Sequence, residues 1–309
     1  MYKYIIKRIL WLIPIMLGVT FVVFTIMYLS PSDAALITLG EQASPEALAS
    51  LRKEMGLDQP FYIQFLKYVG DVFLRFDLGR SHINKRVVLE EILIRFPNTF
   101  LLAFLSVLFS AIFGITLGVI AATKKDSKVD NATTMISLFG VSIPTFWLAL
   151  LLIILFSVTL GILPATGFDS PDEFILPVLT LSISSMGSIA RVTRSSMIEV
   201  LEQDYIRTAY AKGLKKKHII YSHALKNALI PVITVIGLQF GFLLGGAVLT
   251  ETIFAINGIG SLMIDAINQK DTMIVQGGVL FIAFLFSIIN LIVDVLYAYI
   301  DPRVKSQYT

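Results

Sequence analysis

Long apolar runs separated by short charged connections make up most of the chain. A helix rises about 1.5 Å per residue, so about 20 mostly apolar residues cross the hydrocarbon core of a bilayer. Six segments meet that length: 9–29, 99–122, 133–160, 174–198, 229–250 and 275–300. The fourth is the least apolar, being rich in serine with Arg191 and Arg194 near its end. It still counts, because the flanking connections alternate in charge only if it crosses. The pattern predicts an all-α polytopic membrane protein with six transmembrane helices. The first apolar segment follows Lys7 and Arg8. It is longer than the roughly 7–15 residues of a signal-peptide core, so it reads as an uncleaved first helix.

The long connection 30–98 reads as a helical insertion. Ser44, Pro45 and Glu46 are a cap, a first-turn proline and a first-turn acid. Leu48, Leu51 and Met55 follow at helical spacing, and Gly56 is placed to stop the helix. A second amphipathic stretch, 61–76, puts Ile63, Leu66, Val69 and Phe73 on one face. The insertion either packs on itself or lies against the mouth of the bundle. Three parts result: 1–29 with the first helix, 30–98 as the insertion, and 99–309 as a five-helix core with a connection at 198–228.

Basic residues orient the chain, since short connections rich in lysine and arginine stay in the cytoplasm. Lys3, Lys7 and Arg8 precede the first span, and Lys124, Lys125 and Lys128 lie between the second and third. Arg207, Lys212, Lys215, Lys216, Lys217 and Lys226 lie between the fourth and fifth, and Arg303 and Lys305 in the tail. Both termini are therefore expected in the cytoplasm, with 30–98 outside. Long loops cross largely regardless of their charge, so the basic residues of the insertion do not oppose this.

Composition narrows the chemistry. Of 309 residues, 56% are hydrophobic and 15% charged, against about a quarter charged in soluble domains. With no cysteine and only His82, His218 and His223, neither disulfides nor a histidine-built metal cage are expected. No Gly-x-x-x-x-Gly-Lys-Ser/Thr loop is present to cradle ATP phosphates, and no carboxylate pair or nucleophile–base set suggests an enzyme. Polar residues within the spans are Gln239, Asn290, Asp294 and the serines Ser182, Ser184, Ser185 and Ser188. A charge inside a span costs at least a few kcal/mol. Asp294 is expected to pair with Arg191 or Arg194, with gating as the sharper alternative, and the serines to pack helices closely.

The connection between the fourth and fifth spans is the most specific feature. Residues 202–214 read as a short helix stopped by Gly213. Lys215, Lys216 and Lys217 follow, then a second helix, 219–229, leads to Pro231. Three lysines at a helix start oppose its dipole, so they point to lipid headgroups or an acidic partner surface, or to a solvated basic loop.

Here the chain resembles the permeases of ABC importers. Arg207-Thr208-Ala209, followed after three residues by Gly213, is similar to their cytoplasmic signature loop, in which a Glu-Ala-Ala triplet precedes a glycine. Asp204-Tyr205-Ile206-Arg207-Thr208-Ala209, Ala211-Lys212-Gly213 and His223-Ala224-Leu225-Lys226-Asn227-Ala228-Leu229-Ile230-Pro231 resemble the dipeptide, oligopeptide and nickel branch, nearest its B-type subunit. So do Ser30-Pro31-Ser32-Asp33, the Arg191–Met197 stretch, Thr250-Glu251-Thr252-Ile253-Phe254 with Gly258-Ile259-Gly260, and Asp301-Pro302-Arg303.

The resemblance implies that Asp204, Tyr205, Arg207, Thr208, Ala209, Ala211, Lys212 and Gly213 dock into an ATPase subunit. It implies a homologous second permease, two ATPase subunits carrying ATP and Mg, and an external substrate-binding protein. It gives this chain no cofactor of its own, and no nucleic-acid partner is expected. Arg191, Arg194, Gln239, Glu251, Asn290 and Asp294 are the candidates for structural or gating roles. Peptides are the expected cargo, with nickel or a metal chelate the alternative within the family. A secondary transporter or channel is the rival class, opposed by the absence of a repeat or a mid-span proton relay.

Overall fold

The computed structural model describes residues 2–30, 33–40 and 42–300. The expected turn at Pro31-Ser32 and the Asp301-Pro302-Arg303 end lie outside them. The described residues form helices and no β-strand. In order these are α1 (Tyr2–Leu29), α2 (Ala34–Leu39), α3 (Pro45–Met55), α4 (Phe61–Arg75), α5 (Val88–Thr123) and α6 (Lys128–Ser142). Next come α7 (Thr145–Leu152), α8 (Ile175–Leu201), α9 (Asp204–Ala211) and α10 (Lys216–His218). The last described helices are α11 (Leu225–Gly246), α12 (Val248–Ile253), α13 (Ile259–Asn268) and α14 (Thr272–Ile300). Wider π-helical turns, Ile153–Thr159 and Ile219–Ala224, extend α7 and join α10 to α11.

Among the described residues five helices are long and apolar enough to cross a membrane: Ile6–Leu29, Val88–Thr123, Ile175–Leu201, Lys216–Gly245 and Thr272–Leu296. The third expected span differs. It is two helices, Lys128–Ser142 and Thr145–Thr159, set at 101° to each other. At about 1.5 Å per residue each alone reaches only about 22 Å, short of the ~30 Å core, but the two pass together as one bent span, which brings the candidate crossings to the expected six. The elbow is local chemistry. Pro144 has no N–H and disfavours helical geometry in the residue before it, and Ile143 is extended with φ −79° and ψ 125°.

Two further boundaries shift. The second long helix begins at Val88, eleven residues before 99, and the fifth runs unbroken from Lys216 through Pro231. Thr250 falls in the separate α12.

The insertion is helical as its signals suggest. Ser44 Oγ accepts the Ala47 N–H at 3.2 Å, and Gly56 closes α3 in the left-handed region at φ +71°. On α4 the packed side chains are Phe61, Phe65, Tyr68, Val72 and Phe73; of the expected face Phe73 joins them and Val69 is half-buried, whereas Leu66 is 65% exposed and Ile63 40%. That face turns inward because α1 offers Phe21, Phe24 and Tyr28, whose rings stack or meet edge-on with Phe61, Phe65 and Tyr68. The insertion thus packs on the end of α1.

Helix α8 is the centre of the bundle and its most buried span, packed mainly by α5 and α6 and then by α11. Lipid tails are as apolar as leucine, so close backbone contact rather than hydrophobic expulsion holds such helices together. A Cβ on Gly114 or Gly118 of α5 would lie 2.9 Å from Ile189 or 2.5 Å from Thr193 of α8. One on Gly187 of α8 would lie 2.3 Å from the Ser137 carbonyl oxygen of α6. Between α11 and α14, Gly237, Gly241 and Gly245 play the same part against Val293, Phe286 and Ile282.

Overpacking of this kind costs about 1–3 kcal/mol, and more against backbone. Gly187→Val and Gly118→Val should therefore lower the temperature at which the detergent-solubilised protein loses its monodisperse peak. Gly18→Ala in α1, whose Cβ would meet nothing within 4 Å, should leave that temperature unchanged or raise it. Fluorescence-detected size exclusion after heating checks all three.

Candidate functional site

The connection between α8 and α11 is a compact knob. Helix α9 ends in paired bonds, Leu214 N–H to Ala209 C=O at 3.3 Å and Gly213 N–H to Tyr210 C=O at 2.9 Å. This closure requires a left-handed residue, and Gly213 supplies it at φ +75°. The apolar side of α9, Ile206 and Ala209, is buried on Val119, Met197, Ile219 and Ala224. Asp204, Tyr205, Arg207, Thr208, Tyr210, Ala211, Lys212 and Gly213 face outward with Leu214 and Lys215. Ala209 is therefore a packing residue beneath the knob and no part of its outer surface. Asn227 donates to the Tyr205 hydroxyl at 2.8 Å, tying α9 to the start of α11. Lys125 pairs with Glu202 at 3.0 Å, tying it to the α5–α6 connection.

The candidate charges sort differently from the expectation. Asp294 does not meet Arg191 or Arg194; it pairs with Arg8 of α1 at 3.1 Å. Arg194 instead forms a two-bond pair with Asp130 of α6, Nε to Oδ1 at 2.6 Å and Nη2 to Oδ2 at 2.7 Å. Asp130 is buried and also accepts the Asp126 N–H at 3.0 Å. The sequence reading passed over Asp130 because it fell between two spans as drawn. Its signal was present: an acid in the first turn after the cap Ser127. Arg191 is exposed beside a small cavity of about 110 Å³ that Arg194 also lines. Gln239 accepts from Ser185 at 3.5 Å, a weak link between α11 and α8, and Asn290 is half-buried with no hydrogen bond among the described residues.

Glu251 is fully buried with no cation beside it. Its carboxyl accepts from Thr99 Oγ1 of α5 at 2.7 Å and from the Ser261 N–H in the first turn of α13 at 3.0 Å. Thr99 Oγ1 in turn accepts the Ile259 N–H at 2.9 Å. One carboxyl thus joins α5, α12 and α13. A Cβ on Gly258 or Gly260 would sit 2.4 or 2.8 Å from that carboxyl group, which explains the two glycines. Burial pushes the Glu251 carboxyl above the ordinary range, against these hydrogen bonds, which favour the charged form. Two more buried acids were not singled out in the sequence. Glu91 lies between Arg86 at 3.0 Å and Arg95 at 2.5 Å. Asp271 receives the Ser81 hydroxyl and, at 3.3 Å, the His82 N–H. Among the described residues no group of three or more histidine, aspartate or glutamate side chains is placed to hold a metal ion.

The chain matches two family descriptions. Residues 114–306 match the binding-protein-dependent transport system inner membrane component, and residues 1–103 match the N-terminal part of such membrane components. The chain belongs to this transport-system inner membrane family. A dipeptide transport system permease protein of Alkalihalophilus pseudofirmus is 44% identical, covering 99% of this chain and all of its own. A glutathione transport system permease protein of Salmonella paratyphi A is 42% identical over 99% of both chains. In fold, the inner membrane component resembles a chain of an inward-facing methionine ABC transporter with a TM-score of 0.60 and 17% identity. That likeness covers 68% of this chain and 96% of the other. The family is the membrane component of such systems and is not itself their ATPase.

Two tests follow for the buried charges of this inner membrane component. Removing one partner of a buried pair typically costs about 3–5 kcal/mol because the other charge is stranded. Arg194→Gln should destabilise the protein strongly, Arg191→Gln little, and Asp130→Asn should recover part of the loss in the double variant. Thermal unfolding in detergent reads this. For Glu251, a raised folded-state pKa makes its contribution largest below the unfolded value near 4.5 and progressively lost as pH rises through the folded value. Glu251→Gln should flatten the fall in stability with rising pH, measured as melting temperature between pH 5 and pH 9.

Proposed function

We propose that the chain is one of two channel-forming permease subunits of an ATP-driven importer that translocates di- or oligopeptides. In this reading a homologous permease lies beside it, two ATPase subunits carry ATP and Mg, and an external binding protein delivers the cargo. The names of its relatives support peptides as cargo, and the charge pattern supports a bacterial inner membrane with both termini in the cytoplasm. The fuel is hydrolysed elsewhere, since no phosphate-binding loop is present in the sequence.

One observation carries the mechanism. The α9 knob is rigidly closed at Gly213 and rests on an apolar bed. Its outward face is polar and aromatic, and it leads within three residues into the helix that starts at Lys216. Such a knob seats in a partner's groove and passes on that partner's movement as a rigid body. Asp204, Tyr205, Arg207, Thr208, Ala211, Lys212 and Gly213 supply the docking surface, and Ala209 supports it from beneath.

A side chain at Gly213 costs about 1 kcal/mol or more in the left-handed region. It meets nothing within 4 Å in its own chain, so it protrudes towards the groove. Gly213→Asp and Arg207→Glu should leave the permease in the membrane yet abolish cargo-stimulated ATP hydrolysis and uptake in reconstituted vesicles. Binding of cargo to the external receptor should be unchanged. Co-purification of the ATPase subunits measures docking, and normal stimulation in both variants would overturn the coupling role.

A further inference from the structure

One stripe at helical spacing runs along α8: Pro177, Leu181, Ser184, Ser188, Arg191 and Ser195. Helix α5 covers the opposite side, its glycines against Ile189 and Thr193. Helix α6 lies on one flank, against Gly187, and α11 on the other, against Ser185. Towards the start of α8 the stripe is shut. Pro177 and Leu181 are buried there, and Leu181 shares one apolar cluster with Ala149 of α7 and Phe254 after α12. Further along the same stripe is open: Arg191 and Ser195 are exposed, and Ser184 and Ser188 are half-buried.

The open part is polar, and most of its groups are unpaired. The packed hydroxyls of α8 return to the carbonyl four residues earlier, Thr180 to Leu176 at 2.8 Å, Ser182 to Val178 at 2.5 Å and Thr193 to Ile189 at 2.8 Å. Ser184, Ser188 and Arg191 make no hydrogen bond or ion pair among the described residues. Arg191 lies about 15 Å from the Leu201 end of α8 and about 24 Å from the Ile175 end. A charge at that depth faces protein or water and not lipid. Beside it, between α6 and α8, lies the cavity of about 110 Å³, several times the roughly 10–15 Å³ that one water needs. None of its lining residues is acidic, and its other cation, Arg194, is neutralised by Asp130. The cavity thus carries one uncommitted positive charge.

We infer that the open part of this stripe faces the path of the cargo, and that Arg191 with its cavity takes the C-terminal carboxylate of the peptide. The inference rests on the reading of the chain as a peptide permease beside a homologous one. Such a neighbour meets it across an approximate two-fold, so that corresponding faces oppose each other. Like charges then stand on both sides, and the gap between them takes an anion with its water. A peptide brings that anion at one fixed point whatever its side chains, and a guanidinium holds a carboxylate through two parallel N–H bonds. Ser188, one turn before Arg191, donates to the same group. Lipid phosphates lie at the membrane surface, far from this depth.

The test uses the whole assembly with its external binding protein in vesicles. It compares uptake of dialanine and trialanine with uptake of their C-terminal amides, which lack the charge. Calorimetry on the binding protein alone gives the receptor's own preference, which is divided out. The wild type should favour the acids about tenfold beyond the receptor, as one hydrogen bond between charged groups allows. Arg191→Gln should remove that excess, and Arg191→Lys should keep part of it. Ser188→Asp, which pairs with Arg191 in place of the cargo, should remove it too. No excess in the wild type, or the full excess in both Arg191→Gln and Ser188→Asp, would overturn the subsite. So would loss of the neighbouring permease from the purified Arg191→Gln assembly, because the arginine would then be meeting an acid of that neighbour. A wild type that takes up none of these peptides would overturn the peptide reading itself, and the subsite with it.

Discussion

Close contact of bare backbone around α8 is the constraint on which the bundle depends. In lipid, helices are not driven together by the exclusion of water, and association comes from contact and hydrogen bonding at short range. Gly114 and Gly118 bring α5 onto α8, and Gly187 brings α8 onto the carbonyl of Ser137 in α6. Hydroxyls then add hydrogen bonds where the backbones are near. The Ser110 and Ser182 hydroxyls both reach the Ser106 carbonyl, at 2.6 and 3.1 Å. The serine-rich character that makes this the least apolar span is the same property that lets it sit in the middle.

A second regularity links the buried acids. Glu91 lies in the first turn of α5, Asp130 in the first turn of α6, and Asp271 immediately before α14. Glu251 lies in the first turn of α12 and accepts from the first turn of α13. Each therefore places a carboxyl group at the start of a helix, the positive end of its dipole. All four gain a further partner: Arg86 and Arg95 for Glu91, Arg194 for Asp130, the Ser81 hydroxyl for Asp271 and the Thr99 hydroxyl for Glu251. Asp130 and Glu251 fasten helix starts to other helices, through Arg194 of α8 and through Thr99 of α5 and Ser261 of α13, while Glu91 pairs at its own helix start and Asp271 holds the loop at Ser81 and His82.

The features legible in the sequence were those written locally. Span lengths, the Ser44 cap, the Gly56 stop and the Gly213 closure each depend on a few neighbouring residues and one backbone rule. What was not legible depended on distance. Asp294 and Arg191 lie at a similar depth along their spans, yet depth does not say which helix stands beside which, and Arg8 of α1 is the neighbour. Likewise α4 carries apolar residues at helical spacing on more than one face, and the rings of α1 decide that the Phe61, Phe65, Tyr68 and Val72 stripe turns inward. Two misses were readable. Pro144 within an apolar run marks a break, and glycines four residues apart at Gly114 and Gly118, or at Gly237, Gly241 and Gly245, mark contact faces.

The unbroken helix that begins at Lys216 has a mechanical consequence. Its 30 residues to Gly245 make a rod about 45 Å long. A tilt of only ~5° about one end carries the other through about 4 Å, nearly the height of a helical turn. Movement at the membrane surface is therefore magnified at the far face without any bond in the rod being remade. The glycines at 237, 241 and 245 lie in the half of the rod remote from Lys216, where the sweep is widest. There they seat Val293, Phe286 and Ile282 of α14 directly against the rod's backbone.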